Sequence, residues 1–206
     1  DAGKHVLCEA RMAMNSGEAH AMLEASQMCP TLVAQIVPAP LTFPLDRTII
    51  DMVGNGYIGD VISIDARVAL GSNFPLWDAP YHWRMNRELS GNNIMSLGIW
   101  YECLMRWVGP ARTVQAIGQS VVKHRRDDEG RRVAMTIPDH IDIIGELEQG
   151  GQMRLALSSA VGHMPGVDIY LCGTEGTLRI SGEAGQLQLE AGTIKQKSLS
   201  PVQIAK

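Results

Sequence analysis

Alternation of apolar and polar residues in the second half of the chain constrains the fold more than any other feature. From Val61 apolar residues recur at every second position, the spacing of a strand with one buried face. The alternation returns in residues 141–147, 153–161, 169–172, 177–181 and 186–189. Glycine-bearing turns at 150–151, 173–176 and 182–185 separate the later segments, so we expect neighbouring strands to pair as antiparallel hairpins.

Two helices are predicted beside these strands. The first spans about Phe43 to Val53 and is followed by glycines. The second, about Ile94 to Val108, is strongly apolar and ends at Gly109-Pro110. This order of elements predicts an α+β fold, with an open, mostly antiparallel sheet that carries its helices on one face. We place this domain at residues 43–206.

The first 42 residues have a different pattern, that of a β-α-β unit. Lys4 to Cys8 and Leu32 to Val37 are apolar without alternation, which is typical of buried parallel strands. Between them, Asn15 is a good helix N-cap with Glu18 three residues later, and Pro30 ends the helix. We expect residues 1–42 to be a unit of their own that precedes the sheet domain.

Composition excludes several classes of function. The net charge of -4 gives no electrostatic reason to expect nucleic acid or an anionic membrane as a partner. The longest apolar stretch, Leu32 to Leu41, is too short for a bilayer, which needs about 20 residues. The four cysteines are far apart, which indicates a reduced, cytoplasmic protein without a structural metal. The mixed-charge run 123–132 predicts a solvated hairpin tip.

The opening segment, Gly3-Lys4-His5-Val6-Leu7-Cys8-Glu9, resembles the last third of the dinucleotide-binding domain of the Gfo/Idh/MocA oxidoreductases. The turn at residues 55–60 and the phrase at 173–178 are similar to that family too. In the family a lysine at the nicotinamide and a proline follow the glutamate, whereas here Ala10 and Arg11 stand at those positions. The resemblance implies that residues 1–42 are the end of a Rossmann domain and that Glu9 and Arg11 lie near the cofactor.

The resemblance also implies that NAD or NADP binds to the full-length parent protein. In that family a Gly-x-Gly-x-x-Gly turn holds the dinucleotide upstream of this segment, and we expect no such spacing in the chain. Because the chain opens on Asp1 and stops before a helix usual in the family, we expect a truncated piece that binds no dinucleotide alone. Arg11 would only bind or polarise, since a guanidinium does not deprotonate, and Glu9 has a structural alternative as a cap of a backbone amide.

The groups that handle protons in the family are missing. Its second helix carries an aspartate and, four residues later, a histidine, and the alignment of residues 90–100 puts Ser96 and Trp100 there. Hydride transfer at an alcohol carbon needs a group that takes or returns a proton, which Ala10, Ser96 and Trp100 cannot do. Either another residue has this role or this branch is not a dehydrogenase.

The loop of residues 77–87, which leads to the second helix, holds the replacement candidates. His82 and Arg84 lie beside aromatic residues, and guanidinium groups bind carboxylates and phosphates, so the loop suits a polyhydroxylated or anionic substrate. Tyr101 on the helix is the third catalytic candidate. The predicted substrate-binding residues are Trp83, Arg84, Arg87, Asn92 and Asn93. In the structural alternative, Trp83 and Tyr81 anchor the loop to the sheet and Arg84 pairs with Glu88.

The outer face of the sheet also needs an explanation, because residues such as Ile144, Ala156 and Ser158 are uncharged. This face commonly forms the subunit interface in the resembled family, so we expect a homodimer through it; a half-polar solvent face is the alternative. The resemblance implies the substrate-binding and dimerisation portion of an NAD(P)-dependent oxidoreductase for a sugar or cyclitol derivative. Two alternatives remain, a non-catalytic module for dimerisation or ligand sensing, and an enzyme that oxidises its substrate transiently to assist hydrolysis or elimination.

Overall fold

The computed structural model describes residues 2–9, 11–70, 74–94, 96–183 and 186–204. The helices in these ranges are α1 (Ser16–Met28), α2 (Phe43–Gly54), α3 (Arg87–Ser90) and α4 (Leu97–Val108), with a 3-10 turn at Trp83–Met85. The strands are β1 (Val6–Cys8), β2 (Ala34–Ile36), β3 (Val61–Ala69), β4 (Ala111–Gln119), β5 (His124–Arg126), β6 (Arg132–Ala134), β7 (His140–Leu147), β8 (Gln152–Ser158), β9 (Val167–Gly173), β10 (Gly176–Glu183), β11 (Gln186–Thr193) and β12 (Ser200–Pro201).

Eight of the described strands form one mixed sheet in the order β12-β11-β10-β9-β3-β8-β7-β4. Its neighbours are antiparallel except for β3 and β8, which run parallel. The hairpins predicted at the three glycine turns are confirmed as β7–β8, β9–β10 and β10–β11. The predicted α+β fold with an open, mostly antiparallel sheet is therefore confirmed.

One face of this sheet carries the hydrophobic core. Ile64 of β3 and Leu155 of β8 are fully buried in one cluster with Ile49 of α2 and with Trp100 and Leu104 of α4. Both helices thus cover the same face, because each buries an apolar stripe against the alternate residues of the strands.

The predicted alternation is wrong at Ile62, whose side chain is 53% exposed. The pairing of β3 with β9 is irregular between Val61 and Ser63. One residue out of register reverses the side on which the side chains lie. Val61 therefore packs on the core, and Ile62 does not.

Of two further parts of the β structure, one differs from the sequence prediction and the other agrees with it. β4 was not predicted, because its residues are exposed or half-buried along its whole length at the sheet edge and show no buried face. The hairpin predicted in the mixed-charge run is present as β5 and β6, paired with His124 opposite Ala134.

The first segment forms the predicted β-α-β unit, with β1 and β2 parallel and α1 between them. Its helix begins as predicted: Asn15 Oδ1 accepts from the backbone N–H of Glu18 at 3.0 Å, and the Glu18 carboxylate accepts from the Met14 N–H at 2.8 Å. The predicted burial of these strands is wrong, since Leu7 is 70% exposed and β2 is exposed throughout. Two strands and one helix cannot enclose side chains on both faces of a sheet.

A glycine spacing in the crossover to the sheet corrects another expectation. Gly54, Gly56 and Gly59 do have the Gly-x-Gly-x-x-Gly spacing. They follow helix α2 and precede strand β3, whereas a dinucleotide-binding turn follows a strand and opens a helix. Gly59 has φ +69° and lies against Thr174, whose Oγ1 accepts from the Asp60 N–H at 3.0 Å. Gly59 therefore serves the packing of the β9–β10 hairpin, and this spacing is not a dinucleotide-binding turn.

Candidate functional site

A cleft lies between the segment after β1 and the loop before α4. One cavity of about 130 Å³ has Arg11–Met14 on one side and Trp83, Arg84 and Ser90 on the other. A second, of about 220 Å³, is lined by Arg11 and Arg84 together with Asn93 and Arg125, and its inner walls are Val122, Met135, Ile137 and Pro138. Because Arg11 and Arg84 line both, the cavities are parts of one cleft.

Gly91 brings the two sides of this cleft together. It is buried, has φ +65°, and a Cβ on it would overlap the carbonyl group of Met14. Only glycine allows both the left-handed backbone and this close approach. The turn before α4 is thereby docked directly on the segment that carries Arg11.

The local fold of the loop orients Arg84. His82 Nδ1 accepts from the Arg84 backbone N–H at 3.2 Å, and the Ser90 hydroxyl donates to the Arg84 carbonyl at 2.7 Å. The Arg84 guanidinium lies 4.6 Å from the ring centroid of Trp83, a cation–π distance. Arg84 is therefore held between a fixed backbone and an aromatic face.

A second arginine supports the loop from the β5–β6 hairpin. Arg125 Nη1 donates to the carbonyls of Leu76 and Ala79, each at 2.9 Å, and the Tyr81 N–H donates to the Arg126 carbonyl. Sequence reasoning missed this role, because Arg125 is one of several charged residues in a run and its partners lie more than 40 positions away.

The cleft carries positive charge that its acidic residues do not neutralise. Within the described residues, no carboxylate lies within 4.0 Å of a side-chain nitrogen of Arg11 or Arg84. Asp139 lines the larger cavity, but its oxygens accept from the N–H groups of Val121 and Val122. Although Arg11 is exposed, desolvation by the cleft walls lowers its pKa, and the like charge of Arg84 lowers it further.

Buried donors without partners lie at the start of α4. In the described part of the chain, Asn93 Nδ2, Ser96 Oγ and Trp100 Nε1 are buried and make no hydrogen bond. Roughly 90% or more of buried polar groups have a partner, so three orphans close together in the chain are unusual. Asn93 lines the larger cavity, so one of these orphan donors belongs to a residue of the cleft wall.

The structure brings together some of the sequence-predicted residues and not others. Those that line the cleft are Arg11, Trp83, Arg84 and Asn93; those outside both cavities are Glu9, His82, Arg87, Asn92 and Tyr101. The guanidinium of Arg87 donates to Asn92 Oδ1 and to the Thr136 carbonyl, so it holds the turn. The Tyr101 hydroxyl accepts from the Ala111 N–H at 2.9 Å and ties α4 to β4.

The contacts of Arg84 and Trp83 bear on the structural alternatives for the loop. The Arg84–Glu88 ion pair does not form among the described residues. Trp83 is half exposed and is not part of the core cluster, and its role as an anchor of the loop stays a prediction. Ala10, the position of the missing lysine, lies outside the described residues.

Further observations bear on metal sites and membranes. In the described ranges, no three His, Cys, Asp or Glu side chains are grouped so that they could hold a metal ion. None of the described helices is long and apolar enough to cross a membrane. All four cysteines are free, and Cys103 is buried.

Comparisons with known proteins place the fold. The family model of the GFO/IDH/MocA C-terminal domain matches residues 47–179. No curated protein matches the chain. An NAD binding oxidoreductase from Klebsiella pneumoniae is 21% identical, with a TM-score of 0.85 over 98% of this chain and 54% of its own. Levoglucosan dehydrogenase in complex with NADH and L-sorbose is 18% identical, with a TM-score of 0.79 over 97% of this chain and 55% of its own.

A third similar structure is a super-repressor mutant of Gal80p from Saccharomyces cerevisiae. It is 17% identical, with a TM-score of 0.74, and the match covers 97% of this chain and 53% of that one. At these identities the structures share the fold, and the chain spans little more than half their length. Because the family model covers more than half of the residues, the chain belongs to the Gfo/Idh/MocA oxidoreductase family.

Proposed function

We propose that this chain is the substrate-binding and dimerisation portion of a longer NAD(P)-dependent oxidoreductase that acts on a sugar or cyclitol derivative. The observation that carries the proposal is the cleft at the carboxyl end of β1, where Arg11 faces Arg84 and Asn93. Ligands of open α/β sheets bind at this end of the strands. The structures of levoglucosan dehydrogenase in complex with NADH and L-sorbose or levoglucosan support the substrate class.

The exposed apolar surface of the β-α-β unit supports the larger assembly. Val6, Leu7, Met22, Leu23 and Val33 are each at least 40% exposed although they belong to or border the strands and helix of one small unit. Apolar surfaces of this kind mark contacts with further protein. We assign residues 1–42 as the end of a nucleotide-binding half, which would cover this surface, and residues 43–206 as the substrate domain.

The residues present fit the nicotinamide end of a dinucleotide. Asn93 Nδ2 is an orphaned buried donor in the cleft, and it would donate to the carboxamide oxygen or to a substrate hydroxyl. Arg11 would bind a negatively charged phosphate of the dinucleotide. Glu9 directly follows β1 and so lies at the same end of that strand. When bound, NAD or NADP supplies or accepts the hydride. Without the other half, we predict no dinucleotide binding by this chain.

A non-catalytic, ligand-sensing role is the second candidate, and the proton-handling groups favour it. Trp100 is 1% exposed and Ser96 has no basic group. His82 Nδ1 already accepts from the Arg84 N–H, so the neutral imidazole carries its proton on Nε2 and is a donor there. The Tyr101 hydroxyl already accepts a hydrogen bond from the Ala111 N–H, and the Arg84 guanidinium does not deprotonate. The similar structure of the Gal80p super-repressor mutant supports such a role for this fold.

The test uses the full reading frame that contains this chain. NADH fluorescence measures cofactor binding, and the change in NADH absorbance with a panel of sugars, sugar acids and cyclitols measures turnover. We expect both for the oxidoreductase, and binding without turnover for the sensor. Gly91→Ala, which distorts the cleft, should abolish substrate-dependent turnover, while Gly98→Ala, with open space around it, should not. The same measurements are made with NADPH, and absence of binding of both NADH and NADPH would reject the oxidoreductase proposal.

We further propose a homodimer through the open face of the sheet. Ile117 of β4 and Ile144 of β7 are exposed at one end of this face. At the other end, Arg179 of β10 bridges Asp168 of β9 and Glu190 of β11. A second copy is the occupant this face suits, because apolar residues and paired charges of both signs match a self-complementary surface.

Sedimentation velocity tests the dimer. Ile144→Glu should shift a dimer towards monomer, whereas Ile194→Glu, which adds the same charge at an exposed residue beyond β11, should not. A monomer at all concentrations would refute the dimer.

The cytoplasm stays our expected location, which the four free thiols support.

A further inference from the structure

We propose that the cleft selects an anionic substrate, a sugar derivative bearing a carboxylate or a phosphate, which the guanidinium groups of Arg11 and Arg84 bind together. This inference rests on the proposed function, since it names the substrate class of the same cleft. Both arginines line both cavities, so a ligand in the cleft contacts them from either part. Sequence reasoning left a neutral and an anionic substrate open, and the structure favours the anionic one.

The contrast among the four arginines around the cleft carries the argument. Arg87 donates to a side-chain amide and a carbonyl, and Arg125 donates to two carbonyls, so both have structural partners. Among the described residues, the guanidinium groups of Arg11 and Arg84 donate no hydrogen bond. A guanidinium has five N–H donors, and two such groups facing one space repel each other. An anion between them would satisfy the donors and remove the repulsion.

The other polar side chains of the cleft also favour an anionic ligand. Asn93 contributes a buried donor without a partner, while the carboxylates of Glu18 and Asp139 accept from backbone N–H groups. A neutral sugar hydroxyl both donates and accepts, so it needs acceptors as well as donors around it. A carboxylate or phosphate group only accepts, which matches the guanidinium donors of Arg11 and Arg84 that have no acceptor among the described residues.

The shape of the cleft fits a monosaccharide-sized ligand. Cavities of about 220 Å³ and about 130 Å³ are smaller than the range of about 300–1,000 Å³ that is usual for drug-sized molecules. Trp83 lines the smaller cavity and is half exposed, so its ring offers an apolar surface to the C–H groups of a sugar ring.

Isothermal titration of this 206-residue chain with D-glucuronate, D-glucose 6-phosphate and D-glucose tests the proposal. We expect the two acids to bind and glucose to bind at least tenfold more weakly, and the acid affinities to fall with added salt. Arg11→Gln and Arg84→Gln should each weaken acid binding about tenfold to a hundredfold. Arg84→Lys should recover only part of the affinity, because an ammonium lacks the planar fork. Arg47→Gln is the matched control, since its side chain is 94% exposed on α2.

Several outcomes overturn the proposal. These are no binding of either acid at millimolar concentration, equal binding of glucose, or an Arg47→Gln effect as large as the other two. Phosphates of the cofactor are the second source of an anion, so NADH and NADPH are titrated with the full-length protein and the same variants. Variants that weaken dinucleotide binding but leave acid binding unchanged would assign the arginines to the cofactor and overturn the proposal. Acid binding that depends on both arginines, without any turnover, would support the anionic ligand while rejecting the oxidoreductase function.

Discussion

Removal of the Asp46 carboxylate should destabilise the chain more than any exposed charge substitution on the same helix. Asp46 of α2 accepts from Arg106 Nε at 3.0 Å and from Trp107 Nε1 at 2.7 Å, both on α4. The side chains of Asp46 and Arg106 are 11% and 22% exposed. Arg106 also donates to the Ala39 carbonyl and to Thr42 Oγ1, each at 3.0 Å. The carboxylate therefore holds the two helices to the segment that leads from the β-α-β unit.

The magnitude follows from what Asp46→Ala leaves behind. The indole N–H of Trp107, a residue 4% exposed, would lose its acceptor, which costs about 1–3 kcal/mol for a buried donor. Arg106 would lose one charged partner but keep Glu102, whose Oε1 lies 2.7 Å from Nη1. We therefore expect a loss of about 3 kcal/mol, the low end for a broken buried ion pair. For a chain of this size that corresponds to a fall in Tm of roughly 6–12 °C.

Urea denaturation followed by tryptophan fluorescence measures the free energy of unfolding, with thermal melting beside it. Asp51→Ala is the matched control, because Asp51 lies on the same helix, is 65% exposed and sits 4.0 Å from Arg47. An exposed pair of this kind contributes at most about 0.5 kcal/mol. In Asp46→Ala, the half-buried guanidinium of Arg106 keeps only the Glu102 carboxylate as a charged partner. The double variant Asp46→Ala/Arg106→Met removes that guanidinium and should recover part of the lost free energy of unfolding. If Asp46→Ala costs no more than Asp51→Ala, the buried network does not stabilise the junction as argued.

Three further predictions concern packing and reactivity. Gly173→Ala should destabilise by about 1–3 kcal/mol, because a Cβ there would overlap the Ile58 carbonyl, while Gly98→Ala in α4, with nothing near it, should stabilise by up to about 1 kcal/mol; urea midpoints compare the two. A thiol reagent added to the native protein at pH 8 should modify Cys8, Cys29 and Cys172 but not Cys103, whose pKa is raised by burial. Mass spectrometry locates the label, and rapid modification of Cys103 would contradict the packing of α4. Because burial raises the pKa of Cys103, its thiol contributes fully to the free energy of unfolding below the ordinary thiol pKa of about 8.5. That contribution is lost as pH rises through the pKa of the folded state. In Cys103→Ala the urea midpoint should therefore fall less steeply with pH above about 8.5.

The sheet could be predicted from the sequence because its signal is local. Strands with one buried face repeat every two residues, and a glycine pair such as Gly150-Gly151 marks the turn between β7 and β8. The helix start at Asn15 was predictable for the same reason, since a cap depends on residues three positions apart. The irregular pairing at Ile62 was not, because a bulge depends on the partner strand more than 100 residues further along the chain.

Residue types at the site were predictable, but their partners were not. Aromatic and arginine residues in the loop indicated recognition of a polar ligand, and Arg84, Trp83 and Asn93 do line the cleft. Arg87 looked equivalent in sequence, yet its guanidinium meets the carbonyl of Thr136, 49 positions away. Whether an arginine binds a ligand or the protein's own backbone is decided by such long-range contacts, which the order of residues does not contain.

The exchange of lysine and proline for Ala10 and Arg11 changes what this end of β1 can do. A lysine amine can hold a charge and, when its pKa is lowered, pass on a proton, whereas a guanidinium stays protonated and only binds. The lowered pKa of Arg11 does not alter this, because the ordinary pKa of a guanidinium lies far above neutrality. The resemblance implies that Ser96 and Trp100 stand in place of an acid and a base, so on our proposal the cleft lacks groups that transfer protons and has one more group that fixes an anion. Two guanidinium groups keep their charge throughout the neutral range, so selection of an anionic ligand is the property that these substitutions strengthen, whether or not a hydride is then transferred.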